Sequence, residues 1–413
     1  MTVGKPDLVM LTGRFPYGEA VLRGELAVTA ESFDRVFVVP SRPGGDAAEV
    51  PNNATVVDLG WKKGWSHSEK RDALRSRLAL RIIARTLRHP SNWGAYAERA
   101  RTYLDILAEN LLKAKRLAGW VEENDLRDAV FYDFWFENCT LALAALRDLG
   151  AIHCAVSRAH RFDVFDFDES GLRRVPFREF KAEHLDAIFA IAEDSAAYMR
   201  ERVGANAAKV RLARLGVTSP PSHPEAASDP PLIVSCSTLI PRKRVHLIPE
   251  VLRACDRPLR WVHFGDGTER ERVERAAASL PDAVTWELRG WVDNAAIRDF
   301  YARQAASAFL SLSLSEGVPV SMMEAQSYGT PIVSLDVGSV SEIVQAGSGV
   351  LLSPSSSIEE VAEALSGALD PGRFDADRIR LLFASRFNAS ANYREFADAL
   401  VELWSRNVLP TMS

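Results

Sequence analysis

Cysteine is scarce in this chain of 413 residues: Cys139, Cys154, Cys236 and Cys255 are all there is. They show neither the close pairs of a zinc site nor a disulfide framework, and are read as reduced thiols of a cytoplasmic protein. Long apolar runs are missing too. The first, over 8–11, follows Lys5-Pro6-Asp7 and is far too short for a secretory signal. No run approaches the roughly 18 residues of a membrane helix. Positive charge is not in excess: the formal net charge is −5, which argues against a dedicated nucleic-acid binder. There is no short-period repeat, no long low-complexity tract, and no G-x-G-x-x-G at the first strand-to-helix turn. What remains is ordinary for a globular protein, 47% apolar and 25% charged, with length for two or three domains.

The stretch 308–337 organises the rest. Residues 309–314 are short and apolar and predict a buried strand. Ser315-Glu316-Gly317 breaks the pattern. Pro319 suits a first helical turn, where its missing N–H had no partner anyway. Residues 320–328 predict that helix, with Met322, Met323 and Ala325 as good formers. Gly329 ends it in the left-handed position, and Pro331 blocks continuation. Residues 332–337 predict a second buried strand, completing a unit of parallel sheet. Free amides at the helix start, with the macrodipole, favour an anion such as phosphate. Beside an anion, Glu316 is better suited to accepting hydroxyl hydrogens from an uncharged part of a ligand. Glu324, in the helix's second turn, is placed to reach vicinal ribose hydroxyls. The plain alternative is a capping Glu316 and a solvated Glu324.

Glu316, seven residues, Glu324, then Ala325 and Gly329-Thr330-Pro331, resembles the E-x7-E signature of family-4 retaining glycosyltransferases. The surrounding SEGVPVSMMEAQSYGTPIV resembles the subgroup found in surface-polysaccharide assembly. The resemblance implies an α/β chain of GT-B fold: two doubly wound Rossmann-like domains with the active site in the cleft between them. It implies transfer with retention from a nucleoside diphosphate sugar of UDP or GDP type to a saccharide, lipid-linked or small-molecule hydroxyl. It implies no metal ion and no further cofactor. The leaving diphosphate would be held by Lys243, possible partners on its own turn, and backbone from Gly317 on, through Val318, Pro319, Val320 and Ser321.

Read from its start, the chain predicts a strand over 8–12, a helix over 24–31 and a strand over 35–40. The loop between resembles the family's cleft loop in FPYGEAVLRGEL, with Gly13, Arg14 and Gly18 as candidates and a plain turn as the alternative. A helix over 101–124, strands over 130–135 and 154–158 and a helix over 140–149 follow. Arg158-Ala159-His160-Arg161-Phe162-Asp163 resembles the family's R-A-H-G-x-D, which implies His160 near the donor sugar and Arg158 at the cleft; Arg161 replaces a common glycine. Asp166-Phe167-Asp168 has the D-x-D spacing of a metal site, but lies in what reads as a polar loop over 163–170. A strand over 188–192, a helix over 193–203 and a proline-rich linker over 218–231 end the first half.

The second half opens with a strand over 232–237 and a helix over 245–255. Lys243 matches the family lysine of this turn, while Thr238 stands where the family has arginine; Arg242 or Arg244 could supply that charge, and a solvent-exposed basic turn is the plain alternative. Strands over 260–264 and 284–289 follow, with helices over 269–278 and 294–304. In the family, backbone around Gly290-Trp291-Val292 holds the nucleobase. Helices over 358–369 and 387–404 close the chain. The expected domains are 1–217 (acceptor side), a linker over 218–231, 232–385 (nucleotide sugar), and 386–413 crossing back to the first.

Two rivals share these features: a nucleotide-sugar 2-epimerase, and a non-catalytic nucleotide-sugar-binding protein, which the Thr238 departure keeps in play. Residues 62–88 are strongly basic, and 72–88 read as one helix whose arginines cover about half its circumference. Such a helix is a candidate for peripheral contact with the inner face of a membrane, or a solvated face.

Overall fold

The computed structural model describes residues 4–15, 20–43, 50–61, 64–88, 93–137, 139–168, 171–172, 175–224 and 228–412. Strands form where apolar residues run without interruption, as expected when both faces of a parallel sheet are covered. They begin with Leu8–Phe15 (β1), Val36–Pro43 (β2), Ala54–Val56 (β3), Val130–Asp133 (β4) and Cys154–Ala159 (β5). A short antiparallel hairpin follows, Phe167–Asp168 (β6) with Gly171–Leu172 (β7), in the segment expected to be a polar loop. Ala187–Ala190 (β8) and Val210–Leu212 (β9) complete a parallel sheet in the order β3-β2-β1-β4-β5-β8-β9. The second sheet comprises Leu232–Cys236 (β10), Leu259–Phe264 (β11), Val284–Leu288 (β12), Ala308–Ser311 (β13), Ile332–Leu335 (β14) and Gly349–Leu352 (β15). It too is parallel, in the order β12-β11-β10-β13-β14-β15. Strand order reverses at β1/β4 in one sheet and at β10/β13 in the other, and ligands of open α/β sheets bind at the carboxyl ends of such a reversal.

The chain divides into two units, Met1–Arg214 with Tyr393–Ser413, and Leu215–Asn392. In the first, alternate side chains of each strand feed two cores. Val9, Leu11, Phe131 and Ala155 face one side, packed on Leu107, Leu111 and Leu143. Leu8, Met10, Tyr132 and Val156 face the other, covered by Leu22 and Leu26 and by Phe396, Leu400 and Trp404 of the last helix, Ala389–Met412. Trp404 Nε1–H ties that helix to Asp128 O at 2.7 Å.

Arg158, expected to line a cleft, is completely buried within the first unit, on the same face of β5 as Cys154 and Val156. Its Nη1 donates to Glu25 Oε2 at 2.6 Å, and Tyr132 Oη donates to Glu25 Oε1 at 2.7 Å. The guanidinium lies 4.1 Å from the centre of the Phe396 ring. Its Nε and Nη2 have no hydrogen-bond partner among the described residues.

The basic segment also departs from its expectation. It forms two helices, His67–Leu74 and Arg77–Leu87, because Ser76 caps the second by accepting from Ala79 N–H at 3.1 Å. Ala79, Ile82 and Thr86 face the core, while Leu80 and Leu87 are exposed. Lys70 pairs with Glu109 at 2.7 Å, Arg81 with Asp148 and Arg85 with Glu183. Lys62 and Lys63 lie outside the described residues. No helix among the described residues is long and apolar enough to cross a membrane.

Removing one member of a buried ion pair strands the other charge, at a cost of about 3–5 kcal/mol. Glu25→Ala should destabilise the chain by that amount in urea unfolding. The apolar double replacement Glu25→Leu with Arg158→Met should recover most of it. A loss under about 1 kcal/mol for Glu25→Ala would show that the pair is not structural.

Candidate functional site

The second unit builds its site at the carboxyl ends of β10 and β13. From Cys236, the last residue of β10, the chain passes Ser237 and the exposed Thr238, then a short 3-10 turn over Pro241–Lys243. Arg244 ends that turn in the left-handed region at φ 51°. After β13 the chain leaves the strand earlier than expected, at Ser311, and Leu314 N–H donates to Arg242 O at 2.9 Å. This contact brings the two loops together. Across it, Lys243 Nζ meets Glu316 Oε1 at 2.5 Å, with both side chains largely buried. The helix Val320–Ser327 starts at Pro319, which caps it without a side-chain bond. Glu316 is therefore not a cap. Met322 N–H returns to Pro319 O at 3.1 Å, so the first-turn amides of Val320 and Ser321 are the ones without a helical partner. Gly317 and Val318 lead into that turn. Gly329 ends the helix at φ 82°.

Glu324 is not solvated either: it is 5% exposed. Burial raises its pKa, opposed by a short hydrogen bond from Asn294 Nδ2. Burial also pushes the Cys236 thiol up to about 12; the Glu324 charge adds to this and the Lys243 charge opposes it. Neither Asn294 nor Cys236 carried a sequence signal, because each acts through a residue distant in the chain.

A buried polar chain fixes the turn after β10. Trp261 Nε1–H donates to Ser235 Oγ at 2.9 Å, and Ser235 Oγ lies 2.8 Å from His263 Nδ1. His263 Nε2 lies 3.1 Å from Ser237 O. A carbonyl only accepts, so Nε2 carries the proton and Ser235 donates to Nδ1. Burial drives His263 down to about 4, which keeps it neutral. Gly265 follows at φ 132°, and a Cβ there would lie 1.9 Å from Ser237 O. Its N–H bonds Gly290 O at 2.8 Å, which anchors the Gly290-Trp291-Val292 turn. Gly290 is buried, Val292 half-buried and Trp291 75% exposed.

The other sequence candidates lie in the first unit. Gly13 sits within β1. Gly18 and the side chain of Arg14 lie outside the described residues. His160 follows β5, is 6% exposed, and donates Nε2–H to Phe134 O at 3.0 Å. Burial, with the Arg158 charge, lowers its pKa to about 3. Trp135 covers it, with ring centroids 4.0 Å apart. Asp166 is taken up by structure: Arg178 donates to it through Nη1 at 2.9 Å and Nη2 at 2.8 Å. Among the described residues no three His, Cys, Asp or Glu group as a metal site.

Residues 221–381 match the family model described as glycosyl transferases group 1. The chain is 28% identical over 229 residues to an exopolysaccharide phosphotransferase of Streptomyces coelicolor, covering 54% of this chain and 23% of that protein. It is 25% identical over 221 residues to the amylovoran biosynthesis glycosyltransferase AmsK of Erwinia amylovora, covering 49% and 53%. These matches span about half or less of each relative's length. Among solved structures, Anabaena HepE in complex with UDP-glucose superposes with a TM-score of 0.65 at 15% identity, over 96% of this chain and all of that one. The fold is that of the GT-B glycosyltransferases.

The neutral His263 makes stability depend on pH. Its unfolded imidazole takes up a proton near 6.5, while the folded one refuses it until about 4. The stabilisation is therefore complete above pH 6.5 and is lost as pH falls towards 4. In urea titrations between pH 6 and 4.5, the wild type should lose about 1 kcal/mol per pH unit more than His263→Gln. Parallel curves would show that this ring titrates normally.

Proposed function

We propose that this chain is a retaining glycosyltransferase. It moves a sugar from a nucleoside diphosphate sugar to the hydroxyl of a saccharide, lipid-linked or small-molecule acceptor, without a metal ion. The observation that carries this reading is the Lys243–Glu316 pair at the start of the helix Val320–Ser327, inside the segment that matches glycosyl transferases group 1. A UDP-type donor is supported by the likeness to HepE, whose structure holds UDP-glucose.

The chemistry derives from the groups present. The bond between the anomeric carbon and the diphosphate oxygen breaks, and negative charge develops on the leaving group. Lys243 and the amides of Val320 and Ser321 are fixed donors for that charge, the arrangement that lowers a barrier most effectively. Glu316 keeps one carboxylate oxygen beyond the lysine contact, as an acceptor for a sugar hydroxyl. Glu324, oriented by Asn294, accepts from ribose hydroxyls. The departing phosphate oxygen takes the proton of the acceptor hydroxyl, which enters on the same face, so configuration is retained. His160 is neutral and has no proton-transfer part in this scheme.

Thermal-shift measurements with UDP, GDP, ADP and dTDP test the reading. One nucleotide should raise Tm, by about 2.7 kcal/mol of stabilisation at a hundredfold excess over Kd, equally with and without EDTA. Lys243→Ala should abolish the shift. No shift with any nucleotide, or a shift lost in EDTA, would overturn the scheme. For the chemical step, Glu316→Gln should slow release of nucleotide from the matching sugar donor by about a hundredfold or more, with an unchanged melting curve. Near wild-type turnover would remove Glu316 from the mechanism.

A further inference from the structure

Glu324 is oriented by Asn294, so the placement of Asn294 determines which way the carboxylate faces. Asn294 is the first residue of the helix Asn294–Arg303. Asn294, Arg298 and Tyr301 follow one another at spacings of four and three, so they share one face of that helix. Glu324 lies on the helix Val320–Ser327 and Tyr328 is its C-terminal cap, four residues on and on the same side.

The two faces meet in order. Asn294 Nδ2 donates to Glu324 Oε1. Tyr328 Oη donates to Arg298 O at 3.0 Å. The Tyr328 ring stacks on Tyr301, with centroids 5.3 Å apart and planes 18° from parallel. Both rings are buried. On its other side the helix Asn294–Arg303 turns Ile297 and Phe300 to the core, with Phe300 edge-on to Phe264 at 5.0 Å. Apolar packing of that kind has little direction and lets a helix creep along its axis. A hydroxyl-to-carbonyl bond and a ring stack do have direction. Tyr328 supplies both. A creep of one residue, about 1.5 Å, exceeds the span over which a hydrogen bond keeps its strength. With its hydroxyl taken and its ring covered, Tyr328 acts through Asn294 rather than on a ligand.

We propose that Tyr328 is the positioning residue for ribose recognition: it holds Asn294 against Glu324, and so lets that carboxylate tell a ribonucleotide from its 2′-deoxy form. The proposal rests on the reading of Glu324 as the acceptor for ribose hydroxyls.

The test is calorimetric titration with UDP, GDP and ADP, each beside its 2′-deoxy form, and with inorganic pyrophosphate. The wild type should bind at least one ribonucleotide about tenfold tighter than the deoxy form, as one hydrogen bond to a charged group allows. Tyr328→Leu removes both bond and stack; the ratio should fall to within about twofold, with pyrophosphate affinity unchanged. Tyr328→Phe drops only the bond and should bring the ratio to about threefold, a result that stands even if the leucine variant is too unstable to titrate. Tyr301→Phe removes a hydroxyl that has no partner among the described residues, and should behave as wild type. Asn294→Ala should lose the ratio as fully as Tyr328→Leu, and the double variant should lose no more. A wild-type ratio in either Tyr328 variant, losses that add in the double variant, or an equal weakening of ribonucleotide, deoxy form and pyrophosphate would each overturn the proposal and leave the glycosyltransferase reading standing. Equal affinity for the two forms in the wild type would remove the role of Glu324 and this proposal with it. No binding by any nucleotide would remove the glycosyltransferase reading as well.

Discussion

A fully buried guanidinium is the constraint on which the first unit depends. Arg158 cannot shed its proton, and burial penalises its charge. The fold answers from four elements. Glu25 comes from the helix Ala20–Thr29, Tyr132 from β4, Phe396 from the last helix, and Arg158 itself from β5. Each must hold its register for the charge to be met. The same register fixes where β5 ends and its exit loop begins. His160 N–H bonds Asp163 Oδ1 at 2.5 Å, and Phe136 N–H bonds Asp163 Oδ2 at 2.8 Å. The segments after β4 and β5 are thus tied together.

The second unit solves the same problem with neutral groups. Its strand ends are held by Ser235, His263 and Ser237, and by the close approach of Gly265 to the Ser237 carbonyl. That polar chain buries no charge, so the turn bearing Lys243 is positioned without competing electrostatics. The charges are kept for the surface of the site, where Lys243 and Glu316 face each other.

Much of this was legible in the sequence, and the exceptions share a cause. Strands such as β1 and β14 announce themselves through local apolar runs, and Pro319 and Gly329 mark the ends of their helix through backbone chemistry. Local signals also explain two misses. Ser76 is a cap inside what reads as one helix, and Asp375, which accepts from Asp377 and Arg378 N–H, starts the unexpected helix Ala376–Phe387. The helix Arg178–His184 is only seven residues long, too short to show a period, and opens from Phe177 at φ 55°. Arg158 was illegible for another reason. A charged residue beside a loop motif reads as surface, and its partner Glu25 is 133 residues away. Separations of 30 and 26 residues likewise hide Asn294 behind Glu324 and His263 behind Ser237. What one residue does to another across the fold leaves no trace in either one's neighbours in sequence.

The Lys243–Glu316 contact resolves a difficulty that the sequence raises. A carboxylate next to an anion site repels the anion, and Thr238 withholds an expected cation. With Glu316 paired to Lys243, the two side chains carry no net charge, and the repulsion is largely cancelled. Yet the lysine is then shared, so it offers a diphosphate less than an unpaired cation would. In the proposed scheme the remaining stabilisation is left to the other cations of that turn, Arg242 and Arg244, and to dipoles, which need no counter-charge: the amides of Val320 and Ser321 and the axis of their helix. Dipoles act only where the backbone is held in place, and His263 and Gly265, behind the strand ends, hold the Ser237 carbonyl at the start of the turn that bears Lys243.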